Sequence, residues 1–214
     1  MRVLVVGASR GTGAELVDEL AGHGHVVTAF SRRAGGDDQR VDHQVGDVLD
    51  ADAVAKAVAG QDAVVVTLGI PDNPFRVRLT RRASSRLDVR STGTTNVVRA
   101  MAETGVRRLV VQSTYGIGET YRELPLALKA FFTLAIRPQV TDHEIQEATV
   151  RASALDWTIV RPVVLHDEVT SNPPSVSTDD KVAAMRVSRR QVARVEADAL
   201  VRDDWIGRVL SVSE

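Results

Sequence analysis

The chain contains no cysteine, so disulfides, thiolate nucleophiles and cysteine metal ligands are excluded from the start. Lysine is nearly as scarce: Lys56, Lys129 and Lys181 are the only three among 27 basic residues, the rest being arginine. Lysine-dependent catalysis therefore has few candidates. No run of ~18 apolar residues occurs, which excludes a membrane-spanning helix. No basic segment followed by a long apolar stretch precedes the first strand, so a cytoplasmic chain is expected. Charge of one sign is also missing. With 27 basic and 28 acidic residues the net charge is −1, giving no electrostatic case for nucleic acid or an anionic membrane as partner. The five histidines (His23, His25, His43, His143 and His166) show no metal-ligand spacing, and no metal site is expected.

What is present is ordinary globular material: 214 residues, 43% hydrophobic and 26% charged, enough for a sizeable core in one domain over 1–214. Apolar strand patterns alternate with helical stripes along its length. Strands are predicted at Arg2–Val6, His25–Phe30, Val41–Gly46, Asp62–Thr67, Arg107–Gln112, Trp157–Val160 (cut by Pro162) and Arg208–Val212. Helices are predicted at Gly13–Ala21, Asp50–Val58, Leu87–Glu103, Leu126–Ile136, Thr141–Ser153 and from a Ser188 cap to Val201. Such alternation implies an α/β fold of Rossmann type, a doubly wound parallel sheet with helices on both faces.

The first strand runs directly into Gly7-Ala8-Ser9-Arg10-Gly11-Thr12-Gly13, and a helix follows. Glycines at this spacing permit a tight turn, close approach of a diphosphate, and close helix–strand packing. The helix N-terminus then offers N–H groups to phosphate oxygens, with Ser9, Arg10 and Thr12 beside them. Glycine spacing alone is weak; the buried strand before it and the amphipathic helix after it make it a dinucleotide-binding expectation. At the tip of the second strand, where an acid would bond the ribose 2′-hydroxyl of NAD, stand Ser31, Arg32 and Arg33. Guanidinium groups pair with a 2′-phosphate, so NADPH is expected over NADH. The rival reading is that these arginines are solvated loop charges.

With Gly7 to Gly13, Arg32 and Val45-Gly46-Asp47-Val48, the chain resembles the atypical short-chain dehydrogenase/reductase superfamily, and within it the biliverdin reductase B (flavin reductase) and NmrA-like branch. The residues carrying the resemblance are Val45 to Gly69; Gly93, Asn96 and Val97; Val140 to His143; and Leu155 to Pro162. The resemblance implies that Asp47 and Val48 face the adenine, that Leu68 and Gly69 line the adenosine side, and that Pro162 and Val163 meet the carboxamide. It places Ser113 and Thr114 where substrate lies over the nicotinamide, and it matches His143 to a histidine near the substrate. Most members of the superfamily use a Tyr-x3-Lys proton relay; here Tyr115 is followed four residues later by Glu119, and Tyr121 by Pro125.

Ser113, His143 and Tyr115 are thus the catalytic candidates, in a reductase passing hydride to a conjugated acceptor such as a flavin, tetrapyrrole or quinone-like compound. Ser113 orients the acceptor, and solvent or His143 supplies a proton; Tyr115, with an ordinary pKa near 10, is a poor exchanger without help. Against this, Ser113 also suits a ribose contact or a turn cap, and His143 a helix surface. Two other readings stay open: an NmrA-like sensor that binds the dinucleotide without turnover, and an epimerase-type or tailoring enzyme. Segments 70–82, 113–125 and 166–181 are expected to form the substrate mouth. An arginine cluster (Arg76, Arg78, Arg81, Arg82 and Arg86) either steers an acidic substrate or forms a solvated helix entry. A monomer is what the resemblance implies; Leu87–Glu103 and Leu126–Ser153 offer helices for a dimer face, but the core equally requires their apolar stripes.

Overall fold

Parallel strands buried on both faces need helices above and below them, and the computed structural model shows how this chain supplies both layers. It describes residues 1–33, 39–69 and 86–214. The strands are β1 (Arg2–Val6), β2 (Val26–Ser31), β3 (Val41–Val45), β4 (Ala63–Val66), β5 (Arg108–Gln112), β6 (Asp156–Pro162), β7 (Val164–His166), β8 (Ser175–Ser177), β9 (Arg186–Ser188) and β10 (Arg208–Ser213). The helices are α1 (Thr12–Gly22), α2 (Ala51–Val58), α3 (Val89–Thr104), α4 (Leu126–Leu134), α5 (Arg137–Ala152) and α6 (Arg189–Val201). Among the described residues, eight strands form one sheet in the order β3-β2-β1-β4-β5-β6-β10-β8, parallel except for the β10–β8 edge. The fold is Rossmann-like, as the alternation predicts.

Alternate residues of β1 divide the core. Val3 and Val5 pack with Leu16, Val17 and Leu20 of α1 and Val192, Val195 and Ala199 of α6. Leu4 and Val6 face the opposite way, onto Val54 and Val58 of α2, Val97 and Met101 of α3, and Val150 of α5. Strand β1 lies between β2 and β4. Chain connections leave its two neighbours in opposite directions, which opens a crevice at the carboxyl ends of β1 and β4.

Three sequence expectations are corrected. Helix α5 begins at Arg137 instead of Thr141, with Pro138 in its first turn; there proline has no hydrogen bond to lose and its fixed φ suits a helix start. Pro162 does not cut β6: it is the strand's last residue, aligned with Val212, and its carbonyl accepts from the Tyr115 N–H at 2.9 Å. The segments 113–125 and 166–180, in which no helix or strand is expected from the sequence, hold a 3-10 turn, Gly118–Glu123, and the short edge strand β8. Segment 70–82 and Arg76, Arg78, Arg81 and Arg82 lie outside the described residues; Arg86 is an exposed partner of Asp88 at 2.6 Å.

Candidate active site

Two glycines set the geometry where β1 meets α1. Gly7 has φ +94°, and a Cβ there would lie 2.8 Å from the Thr67 carbonyl oxygen at the end of β4. A Cβ on Gly13 would come to 2.4 Å from the Gly7 carbonyl oxygen and 2.6 Å from the Thr67 hydroxyl. The turn is therefore pressed onto β4, which brings the start of α1 to the head of the crevice. Gly11 is the N-cap of α1 and contributes no side-chain cap, so the first-turn N–H groups keep the capacity to bind an anion.

A cleft of about 660 Å³ runs from this turn along the strand ends. Gly7, Ser9, Arg10, Gly11, Thr12, Arg32, Arg33, Asp47, Val48, Leu68, Gly69, Ser113, His143, Pro162 and Val163 all line it. Of the candidates, Gly13 and Tyr115 are not in its wall. Gly13 serves by packing behind the turn. Tyr115 is 2% exposed and donates its hydroxyl to the Asp180 carbonyl at 3.1 Å, and burial raises its pKa. The structure thus draws the tyrosine away from the cleft into the core.

At the β2 and β3 end, the Ser31 hydroxyl donates to the Arg33 carbonyl at 2.6 Å, folding the strand tip so that Arg32 and Arg33 stand at the rim with Arg10. Asp47 is oriented by its neighbour: its Oδ1 accepts from the Leu49 N–H at 3.0 Å. Val48 is seated on α3, where a Cβ on Gly93 would meet its methyl groups at 2.8 Å and the Asn96 amide donates to its carbonyl at 2.9 Å. Gly93 and Asn96 therefore shape the Asp47–Val48 corner.

At the other end, Ser113 is held by its backbone N–H to the Val160 carbonyl at 2.7 Å. Its hydroxyl is buried and has no hydrogen-bond partner among the described residues, and neither has Oε1 of the adjacent Gln112. His143 is 9% exposed, and burial together with nearby Arg90 holds its pKa well below the ordinary value. Its Nδ1 lies 3.2 Å from Gln146 Oε1, while Gln146 Nε2 donates to the Thr94 hydroxyl at 3.0 Å. With that amide orientation Nδ1 carries the imidazole proton and Nε2 is an acceptor.

Sequence reasoning missed several wall residues: Thr67, Arg90, Gln112, Gln139 and Arg189. Arg90 is 6% exposed; its Nε donates to the Leu68 carbonyl at 3.2 Å and its Nη1 stands 3.6 Å from Asp142. No local pattern marks it, because it is one polar residue in the first turn of a mixed helix. Behind the wall Arg161 is bonded bidentately to Glu147, at 2.8 and 2.7 Å, and to Glu119 at 2.9 Å, and these carboxylates raise its pKa. Among the described residues no group of three or more metal-ligating side chains is found, and no helix is long and apolar enough to cross a membrane.

A glycine cradle that a Cβ would fill, helix N–H groups without a side-chain cap and a buried hydroxyl with no partner among the described residues fit a nicotinamide dinucleotide. Comparison with known proteins agrees. The chain is 34% identical over 119 residues to a 3-beta-hydroxysteroid dehydrogenase of Mycolicibacterium neoaurum, a match spanning 54% of the chain and 32% of that protein. The chain thus corresponds to about a third of that relative's length. Its fold is shared with the oxidoreductase ylbE of Lactococcus lactis (TM-score 0.81, 19% identity, 100% of this chain and 91% of that one). It is also shared with ChuY, an anaerobillin reductase from Escherichia coli O157:H7 (TM-score 0.77, 22% identity, 100% and 97%). A family model described as NAD(P)H-binding matches residues 7–203, and the chain belongs to that family.

Proposed function

We propose that this protein is an NADPH-dependent reductase that delivers hydride to a conjugated acceptor of the flavin, tetrapyrrole or quinone-like class. The observation that carries the reading is the joining, in one cleft, of the glycine turn and the Ser113 hydroxyl, which has no partner among the described residues. The family match and the reductase fold of ChuY support it.

The division of labour follows from the wall. The turn from Gly7 to Gly13 and the α1 N-terminus hold the diphosphate, and Arg10, Arg32 and Arg33 hold the 2′-phosphate through charge-assisted bonds. Asp47 and Val48 meet the adenine; Leu68 and Gly69 flank the adenosine; Pro162 and Val163 meet the carboxamide. The dihydronicotinamide supplies the hydride. Ser113 orients the acceptor by a hydrogen bond, and proximity accounts for much of the acceleration when the acceptor is already electron-poor. His143, neutral and with Nε2 as acceptor, polarises a hydroxyl or a water rather than donating a proton, so solvent supplies the proton that completes the reduction. Tyr115 takes no part.

Absorbance at the reduced-nicotinamide band tests this directly. Oxidation of NADPH on adding FMN, a linear tetrapyrrole or a quinone is expected, with Ser113→Ala lowering kcat by about 10- to 100-fold, the loss of one positioned hydrogen bond. No turnover with any acceptor overturns the reading. A second reading, a dinucleotide-binding redox sensor, is favoured by one observation: the tyrosine nearest the strand ends is buried away from the cleft. It predicts unequal affinities for NADP+ and NADPH and no catalytic effect of Ser113→Ala.

A further inference from the structure

Arg189 stands where the cleft has most use for an anion partner. It opens α6 immediately after the Ser188 cap, with Arg190 next to it and no acidic residue in the first turn. Two cations at the positive end of a helix dipole oppose the local field. For Arg189 the compensation among the described residues comes from outside the helix. Its Nη1 donates to Asp167 at 2.6 Å, and Asp167 lies in the segment between β7 and β8 with a side chain 85% exposed. An ion pair with one member so fully hydrated contributes little and exchanges readily.

The position of the guanidinium is the second observation. A Cβ built on Gly11 would meet Arg189 Nε at 3.6 Å and Cδ at 3.7 Å, with no closer neighbour. The side chain therefore lies along the glycine turn, beside the N-cap of α1, and both Arg189 and Asp167 line the cleft. The Arg189 side chain is 28% exposed, so solvent and a ligand at the turn can reach it.

We propose that Arg189 is a diphosphate clamp, which exchanges the Asp167 carboxylate for the cofactor's diphosphate when the dinucleotide enters. This rests on the dinucleotide reading of the cleft and adds to it a cation from the far end of the chain. The turn alone offers N–H groups; Arg189 adds a forked donor whose charge matches a phosphate pair. Asp167 acts on binding as a competitor, because the carboxylate occupies donors that the diphosphate needs.

The competition gives the two substitutions opposite signs. Titrating purified protein with NADPH by calorimetry, Arg189→Met is expected to weaken binding about tenfold or more, and Asp167→Asn to tighten it about two- to fivefold. In the double variant Asp167→Asn is expected to add nothing, since its effect runs through Arg189. Adenosine 2′-phosphate, which has no diphosphate, should bind wild type and Arg189→Met alike, while Arg33→Ala weakens it. Arg189→Lys keeps the charge without the fork and should fall between. The thermal midpoint without nucleotide serves as the check on folding for each variant. If NADPH binds the wild type and Arg189→Met within twofold of one another, or if adenosine 2′-phosphate loses as much as NADPH, the clamp is wrong while the dinucleotide reading stands. If the wild type binds no pyridine nucleotide, both fall.

Discussion

Asp142 on α5 caps a helix to which it does not belong. Its carboxylate accepts from the backbone N–H of Ser91 at 2.9 Å and of Arg90 at 3.1 Å, at the start of α3, and it is 3% exposed. The residue that follows it in sequence, His143, faces the cleft. One short segment of α5 thus ties two helices together and presents a site residue.

Replacing Asp142 removes a cap and leaves the Arg90 guanidinium buried without its counter-ion. Asp142→Ala is expected to destabilise by about 2–4 kcal/mol. Asp142→Asn, which keeps one acceptor, should cost less. Chemical denaturation of the three proteins checks the order; equal stabilities would remove the capping role.

Glu196 on α6 is fully buried, and among the described residues neither carboxylate oxygen has a hydrogen-bond partner. Burial pushes its pKa well above the ordinary carboxylate value. The folded state therefore holds a proton that the unfolded chain releases more easily. The stability this group contributes is fully present below the unfolded-state pKa and is lost as pH rises through the folded-state value. Glu196→Gln should remove that loss, leaving the variant more stable than wild type at alkaline pH by about 1–3 kcal/mol. Thermal midpoints measured across the pH range would show the two curves converging in acid.

The Arg161 cluster separates a buried ion pair from a rim pair on the same guanidinium. Glu147 is 5% exposed at its side chain and Glu119 is 58% exposed. Glu147→Ala is expected to cost about 3–5 kcal/mol, because it strands a buried charge. Glu119→Ala should cost less than about 1 kcal/mol. Urea denaturation distinguishes them, and equal effects would show that solvent reaches the whole cluster.

The Gly13 contact with the Gly7 carbonyl leaves no room for a methyl group. Gly13→Ala is expected to weaken NADPH binding more than tenfold and to cost at least about 1–3 kcal/mol, as overpacking does. Gly22→Ala, on the same helix with nothing within 4 Å of the added Cβ, should be neutral or stabilising by up to about 1 kcal/mol. Fluorescence titration and melting curves for the pair test steric closeness against a general intolerance of α1.

Much of the fold was legible because its signals are local. The apolar runs of β1 and β4 and the stripe of α1 each declare themselves within a few residues, and the glycine turn lies between two such signals. Where the local signal misleads, the structure departs from it: the helix expected from Thr141 begins at Arg137 with Pro138 in its first turn, and Pro162, expected to cut β6, is its last paired residue. The three short strands after Pro162 leave no periodicity to read, since three residues of pairing are set by the neighbouring chain.

Sequence by itself determined the order of strands and helices, the glycine turn between β1 and α1 and the arginines at the β2 tip, because backbone conformation and periodic burial are written locally. Tertiary structure alone decided which polar side chains share the cleft. It buried Tyr115, left the Ser113 hydroxyl without a partner among the described residues, lowered the His143 pKa by burial beside Arg90 and laid Arg189 along a turn 178 residues earlier in the chain. Those outcomes depend on packing distances between elements remote in sequence, and no pattern within one element encodes such distances.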